Sequence, residues 1–177
     1  MKIWVSSLRD VYDAAAKARP SKVMSLLSPG SDFPSFEEFG DDKHHRIEVY
    51  DILENKGDRA APDEADVDLI LAHVRDWSPQ TALLVHCWAG MSRSTATAYI
   101  AACVHNPDAD EAVIAQVLAD ASPTAFPNTR IVEIADEKLG RDGRMARAAA
   151  AIRQDEARLA KIYELQEATP FYIPAKY

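Results

Sequence analysis

Positive charge is scarce in this chain: 20 lysines and arginines stand against 28 aspartates and glutamates, a net charge of -8. Nucleic acids and anionic membranes reward clusters of Lys and Arg, so neither a nucleic acid nor a membrane is expected as a general partner. The deficit leaves an anionic substrate open, because a single local site can oppose the global field. Cysteine is scarcer still. Only Cys87 and Cys103 occur, and the opening MKIWVSSLRD reaches charge within two residues and again at Arg9, unlike a secretory leader. A reducing, cytoplasmic setting is therefore expected, with at least one thiol free to react. No apolar run approaches the ~20 residues that span a bilayer, and internal repeats and low-complexity tracts are lacking, so the chain reads as a soluble protein.

What is there suits one domain: 177 residues, 47% of them hydrophobic, support one sizeable core but not two ordinary ones. KIWVSS (Lys2 to Ser7), KVMSLLS (Lys22 to Ser28), RIEVYD (Arg46 to Asp51) and the nearly continuous apolar TALLVHC read as strands, the last buried on both faces. Helices are predicted between them, from about Leu8 to Ala18 and from Pro62 to Trp77, where Val67, Ile70, Leu71 and Val74 recur at helical spacing. Further helices follow, one closed by Gly140 and one long and charged from Gly143 to Ala168. The pattern predicts an α/β fold: a mostly parallel, four- to five-stranded sheet flanked by helices. The tail TPFYIPAKY is expected to lie extended along a groove or to be partly disordered.

The chemistry concentrates in HCWAGMSRST, His86 to Thr95, where the fourth strand gives way to a helix. Sites in open parallel sheets form outside the carboxyl ends of strands, and the loop from Trp88 to Arg93 stands at such an end. Its successive N–H groups can turn inward as an anion nest while the next helix adds the positive end of its dipole. Gly90 permits a positive φ or a close approach. Trp88, Ala89, Gly90, Met91, Ser92 and Arg93 would together bind a dianionic phosphate. The same field favours the thiolate of Cys87, which makes it the candidate nucleophile. Arg93 offers a planar fork of donors to two phosphate oxygens and to transition-state charge. Ser94 is placed to donate toward the sulfur, and His86 is expected to order the loop through bonds to backbone.

His86, Cys87, Gly90, Arg93 and Ser94, with five residues between cysteine and arginine, resemble the signature loop of the cysteine-dependent protein tyrosine phosphatases. The order of elements from Arg46 to Val104 is similar to the compact, dual-specificity branch, and Pro127-Asn128 resembles a Pro-Asn found there; the likeness runs from Arg46 to about Leu139. It implies a phosphatase domain over residues 1–142, with the signature loop between a central strand and a helix; the likeness leaves the C-terminal helix out, and residues 143–177, that helix and an extended tail, are separately expected to pack on the same domain. It also implies hydrolysis of phosphomonoesters, with protein phosphotyrosine as the leading substrate. The route is a phosphocysteine intermediate without metal or cofactor, and Asn128 supports the site. Asp51 matches the position of the family's general acid; Asp58 and then Glu54 are the alternatives. The partners are thus a phosphorylated protein or a small phosphomonoester, with a homodimer through the C-terminal helix as the alternative to a helix packed on its own domain. Trp88, Ala89 and Met91 lack the lysines that resemble phosphoinositide phosphatases, which disfavours highly charged inositol phosphates.

Two other functions compete: a rhodanese-type sulfurtransferase, whose loop is usually shorter, and a phospho-binding module on a phosphatase fold, which usually lacks the nucleophile. Among the remaining candidates, Cys103 reads as a buried small hydrophobe. His44 and His45, beside Asp41 and Asp42, read as a solvated loop rather than a metal site. Arg130, Arg141 and Arg144 read as solvated surface.

Overall fold

The computed structural model describes residues 1–37, 39, 40, 42–160 and 162. Its elements are β1 (Lys2–Ser7), α1 (Val11–Ala18), β2 (Lys22–Leu27), β3 (His44–Glu48), α2 (Glu64–Asp76), β4 (Ala82–Cys87), α3 (Arg93–Val104), α4 (Glu111–Ala121), α5 (Thr129–Leu139) and α6 (Arg144–Gln154). Among the described residues the sheet has four strands, all parallel, in the order β1-β4-β2-β3. The central strands β2 and β4 are buried along their whole length, as their apolar runs demand. Alternation along them sorts the core. Val23 and Leu84 pack with Val11 of α1 and Phe36 on one face, while Met24, Leu26, Leu83 and Val85 join the residues of the other helices on the opposite face.

The third strand sits two residues earlier than the alternation of Ile47 and Val49 predicts. His44 is buried in β3, its ring 5.0 Å from that of Phe36, so neither it nor His45 lies in a solvated loop. The strand ends at Glu48; Val49 N–H still bonds Leu27 O at 2.7 Å, and the Val49 carbonyl accepts from the Arg93 guanidinium at 2.8 Å. Helix α2 begins after Asp63, not at Pro62. The Asp63 carboxylate accepts from the N–H groups of Ala65 and Asp66 while Asp66 accepts from Asp63, a closed capping box.

Helix α6 packs Met145, Ala148, Ala149 and Ile152 into the common core, against α4 and α5. It ends at Gln154 instead of continuing as one rod, because Asp155 leaves the helical conformation and its carboxylate accepts the Arg158 N–H at 3.2 Å, starting a new turn. Residues from 163 onward, including TPFYIPAKY, lie outside the described residues. Two arginines read as surface are structural. Arg141 is buried, donating to the carbonyls of Cys103 and Pro107, and Arg141 and Arg144 both grip the buried Glu111 carboxylate, at 2.9 and 3.1 Å. Arg130 donates to the Pro62 carbonyl. Among the described residues no helix is long and apolar enough to cross a membrane.

His45 stacks on His73 of α2 with ring centroids 3.6 Å apart. Burial, then the neighbouring His73, pushes His45 down to about 4, and burial, then Lys22, lowers His73. Both folded pKa values lie below the ordinary 6.5, so the unfolded chain binds more protons as pH falls. Stability from this pair is full above about 6.5 and declines toward 4. Thermal melting is expected to drop by roughly 5 °C between pH 7.5 and 5; His73→Gln should flatten that slope, and an unchanged slope would refute the pairing.

Candidate active site at the end of strand β4

All four parallel strands point their carboxyl ends to one edge, which brings Ser7, Ser28, Val49 and Cys87 together from separate parts of the chain. Cys87 is buried at the tip of β4 and its Sγ lies 3.1 Å from Ser94 Oγ in the first turn of α3. The loop between them is folded tightly on its neighbours. Gly90 has φ +73°, and a Cβ built there would stand 2.7 Å from the Ser7 nitrogen and 2.8 Å from the Ser6 carbonyl carbon, both backbone. Only glycine fits. The Trp88 carbonyl accepts from Leu8 at 3.1 Å, and the Met91 carbonyl accepts from Phe126 N–H at 2.8 Å and from the Thr95 hydroxyl.

Ser92 occupies the N-cap position of α3, yet its hydroxyl donates to Asp51 Oδ1 at 2.6 Å instead of capping the helix. The first-turn N–H groups of α3 therefore receive no side-chain cap, and the first turn holds no acidic residue. That is the arrangement of an anion site. Arg93 folds back under the loop: Nη1 donates to Val49 O at 2.8 Å and to Ser28 Oγ at 3.4 Å, and Nε stands 3.8 Å from Asp51 Oδ2. This Nε is buried without a hydrogen-bond partner, a donor whose desolvation a ligand oxygen would offset.

Asp51 follows β3 in the loop rather than ending the strand, and Asn128 Nδ2 donates to its Oδ1 at 2.9 Å. Asn128 also caps α5 through the Ile131 N–H and bonds Ser92 O through its own N–H. The structure thus gathers Cys87, Gly90, Ser92, Arg93, Ser94, Asn128 and Asp51. Asp58 instead occupies an exposed turn beside Gly57, between Lys56 and Arg59. Among the described residues no hydrogen bond or ion pair links Asp58 or Glu54 to the loop. Trp88 is 65% exposed, so it does not pack beneath the loop; Ala89 is exposed and Met91 half-buried.

Successive strand residues face opposite ways, so His86 points away from Cys87 to the α1 face of the sheet. There its Nε2 lies 2.5 Å from Ser25 Oγ, which is also 2.7 Å from His44 Nε2. Burial pushes His86 down to about 4, which keeps the ring neutral. Burial outweighs the backbone hydrogen bond with Cys87, which acts the other way; Ser25 and His44 have no signal in the sequence beyond their strand register.

No protein-family model matches the chain, and no curated protein matches its sequence. Solved structures do match its fold. The crystal structure of DUSP15 superposes with a TM-score of 0.60 at 15% identity, over 86% of this chain and 91% of that one. Human DUSP28 gives 0.55 at 20% identity, over 78% and 92%. PTPMT1 in complex with PI(5)P gives 0.58 at 14% identity, over 83% and 94%. The chain has the dual-specificity phosphatase fold. Within that fold the sequence analysis missed Ser28, which braces Arg93; the carboxyl-end rule applied to β2, which Ser28 directly follows, points to it.

Proposed function

We propose that the protein hydrolyses phosphomonoesters, with protein phosphotyrosine as substrate, through a phosphocysteine intermediate and without a metal. The observation that carries this reading is the joint placement of the Cys87 sulfur, the uncapped start of α3 and the Arg93 guanidinium around one loop. In the first step the Cys87 thiolate attacks phosphorus, the Sγ–P bond forms and the ester P–O bond breaks. Asp51 supplies the proton that the leaving oxygen needs. Arg93 and the loop N–H groups hold the equatorial oxygens as charge redistributes. In the second step water attacks phosphorus, Asp51 takes its proton, and the Sγ–P bond breaks with Ser94 hydrogen bonding to the departing thiolate.

Its thiol chemistry suits a reducing, cytoplasmic compartment, and helix α6, packed into the common core, belongs to the same domain. Hydrolysis of para-nitrophenyl phosphate should survive chelator, and its pH profile should lose the basic limb in Asp51→Asn but keep it in Asp58→Asn. Phosphate binding without any turnover by the native chain would replace the enzyme with a phospho-binding module. Activity on phosphoinositide vesicles but not on phosphotyrosine peptides would move the substrate to lipid, the class that PTPMT1 holds in its complex.

A further inference from the structure

Helix α6 lies beyond the stretch that resembles the phosphatases in sequence, yet its last turn reaches the candidate site. The Arg153 guanidinium lies 3.5 Å from the centroid of the Phe126 ring, and Nη1 donates to the carbonyls of Pro127 at 3.1 Å and Phe126 at 3.3 Å. The segment it grips has no regular structure of its own between α4 and α5, so its tethers set its position. On the other side the same segment holds the loop and the acid. Phe126 N–H bonds Met91 O at 2.8 Å, Asn128 N–H bonds Ser92 O at 3.3 Å, and Asn128 Nδ2 bonds Asp51 Oδ1 at 2.9 Å. Arginine is the residue that can stack on a ring and donate to two carbonyls at once; lysine, a point charge on a flexible stem, cannot. Asp51 also acts on Arg153 through its charge.

We infer that Arg153 is a positioning residue: from α6 it fixes Phe126 to Asn128, and through Asn128 it places the Asp51 carboxyl for proton delivery to the leaving oxygen. This rests on the phosphatase reading above. Its signature is a dependence on the leaving group. An aryl oxide that leaves readily needs no proton, whereas a poor one does, so displacing the acid penalises only poor leaving groups in the first step, which kcat/KM reports; hydrolysis of the phosphoenzyme, where Asp51 takes the proton of water, is common to every ester.

The test compares kcat/KM on 2,4-dinitrophenyl phosphate and phenyl phosphate for the native chain, Asp51→Asn, Arg153→Ala, Arg153→Lys and Phe126→Leu, with thermal melting to confirm folding. Arg153→Ala is expected to lose about tenfold in kcat/KM on phenyl phosphate and to stay within about twofold of native on the dinitrophenyl ester, with Arg153→Lys in between. Asp51→Asn should show the same selectivity more strongly. Equal losses on both esters in Arg153→Ala, with Asp51→Asn selective, would make Arg153 a structural brace and overturn the inference. If Arg153→Ala does not fold, Phe126→Leu, which removes the ring but keeps the arginine, decides by the same criterion. A native chain inactive on both esters would overturn the phosphatase reading itself, and an unselective Asp51→Asn would overturn the acid assignment; either takes this inference with it.

Discussion

Cys87→Ser is expected to abolish turnover, by about four orders of magnitude or more, while leaving the cradle able to bind phosphate. A serine hydroxyl at the tip of β4 stays protonated at neutral pH and is a poor nucleophile, yet it fills nearly the same space beside Ser94 Oγ. The loop N–H groups and Arg93 are untouched, so vanadate or a phosphotyrosine peptide should bind the variant about as well as the native chain. Cys103→Ser is the control. Cys103 is buried in α3 and burial pushes its thiol up to about 12, so it is unsuited to act as a thiolate. It also lies nine positions beyond Ser94 on the same helix, ~13 Å along the axis at 1.5 Å per residue, so it is far from the Ser94 hydroxyl that faces the Cys87 sulfur. Residual turnover in Cys87→Ser, or its loss in Cys103→Ser, would move the nucleophile elsewhere.

Arg93→Lys should lower kcat/KM by about 10³-fold, despite keeping the positive charge. The guanidinium is held from behind by Val49 O at 2.8 Å, which fixes its plane, while its buried Nε remains without a hydrogen-bond partner. A lysine could satisfy the Val49 carbonyl or reach a phosphate oxygen, but it has no fork with which to do both. Most of the loss should fall on kcat, since the interaction strengthens as charge spreads over the transferring phosphoryl group. Ser28→Ala removes only the longer 3.4 Å bond and should cost no more than about threefold. Steady-state kinetics with inorganic phosphate as competitive inhibitor would check both; Arg93→Lys within tenfold of native would remove Arg93 from the chemistry.

The parts of this site that repeat a local pattern were legible in the sequence. The run from His86 to Ser94 carries its nucleophile, its glycine and its arginine within nine consecutive residues, and the apolar continuity of β4 announced a buried central strand. Asp51 and Asn128 were reachable because each sits just after or before a recognisable element. What stayed hidden depends on register and on side chains crossing between distant segments. Nothing in KVMSLLS says that Ser25 will lie between two imidazoles. The histidines beside Asp42 looked solvated because their neighbours are charged, but β3 turns His44 onto Phe36 in the core. Arg153 was hidden for a related reason: an arginine at the end of an alanine-rich helix resembles any exposed charge until the chain is folded back on Phe126.

The pairing of the sheet also governs how the protein comes into being. Ser7 is registered against Cys87, and Gly90 rests on the backbone of Ser6 and Ser7, so the floor of the loop and its wall come from segments some eighty positions apart in the chain. Parallel strands have no hairpin through which to pair locally, and contacts this distant in sequence close slowly. During synthesis β1 must wait, with β2, until β4 appears, and the loop cannot settle until Phe126 and Asn128 follow. On the proposed function, a chain truncated before Asn128 is expected to lack the assembled loop and so to bind no phosphate.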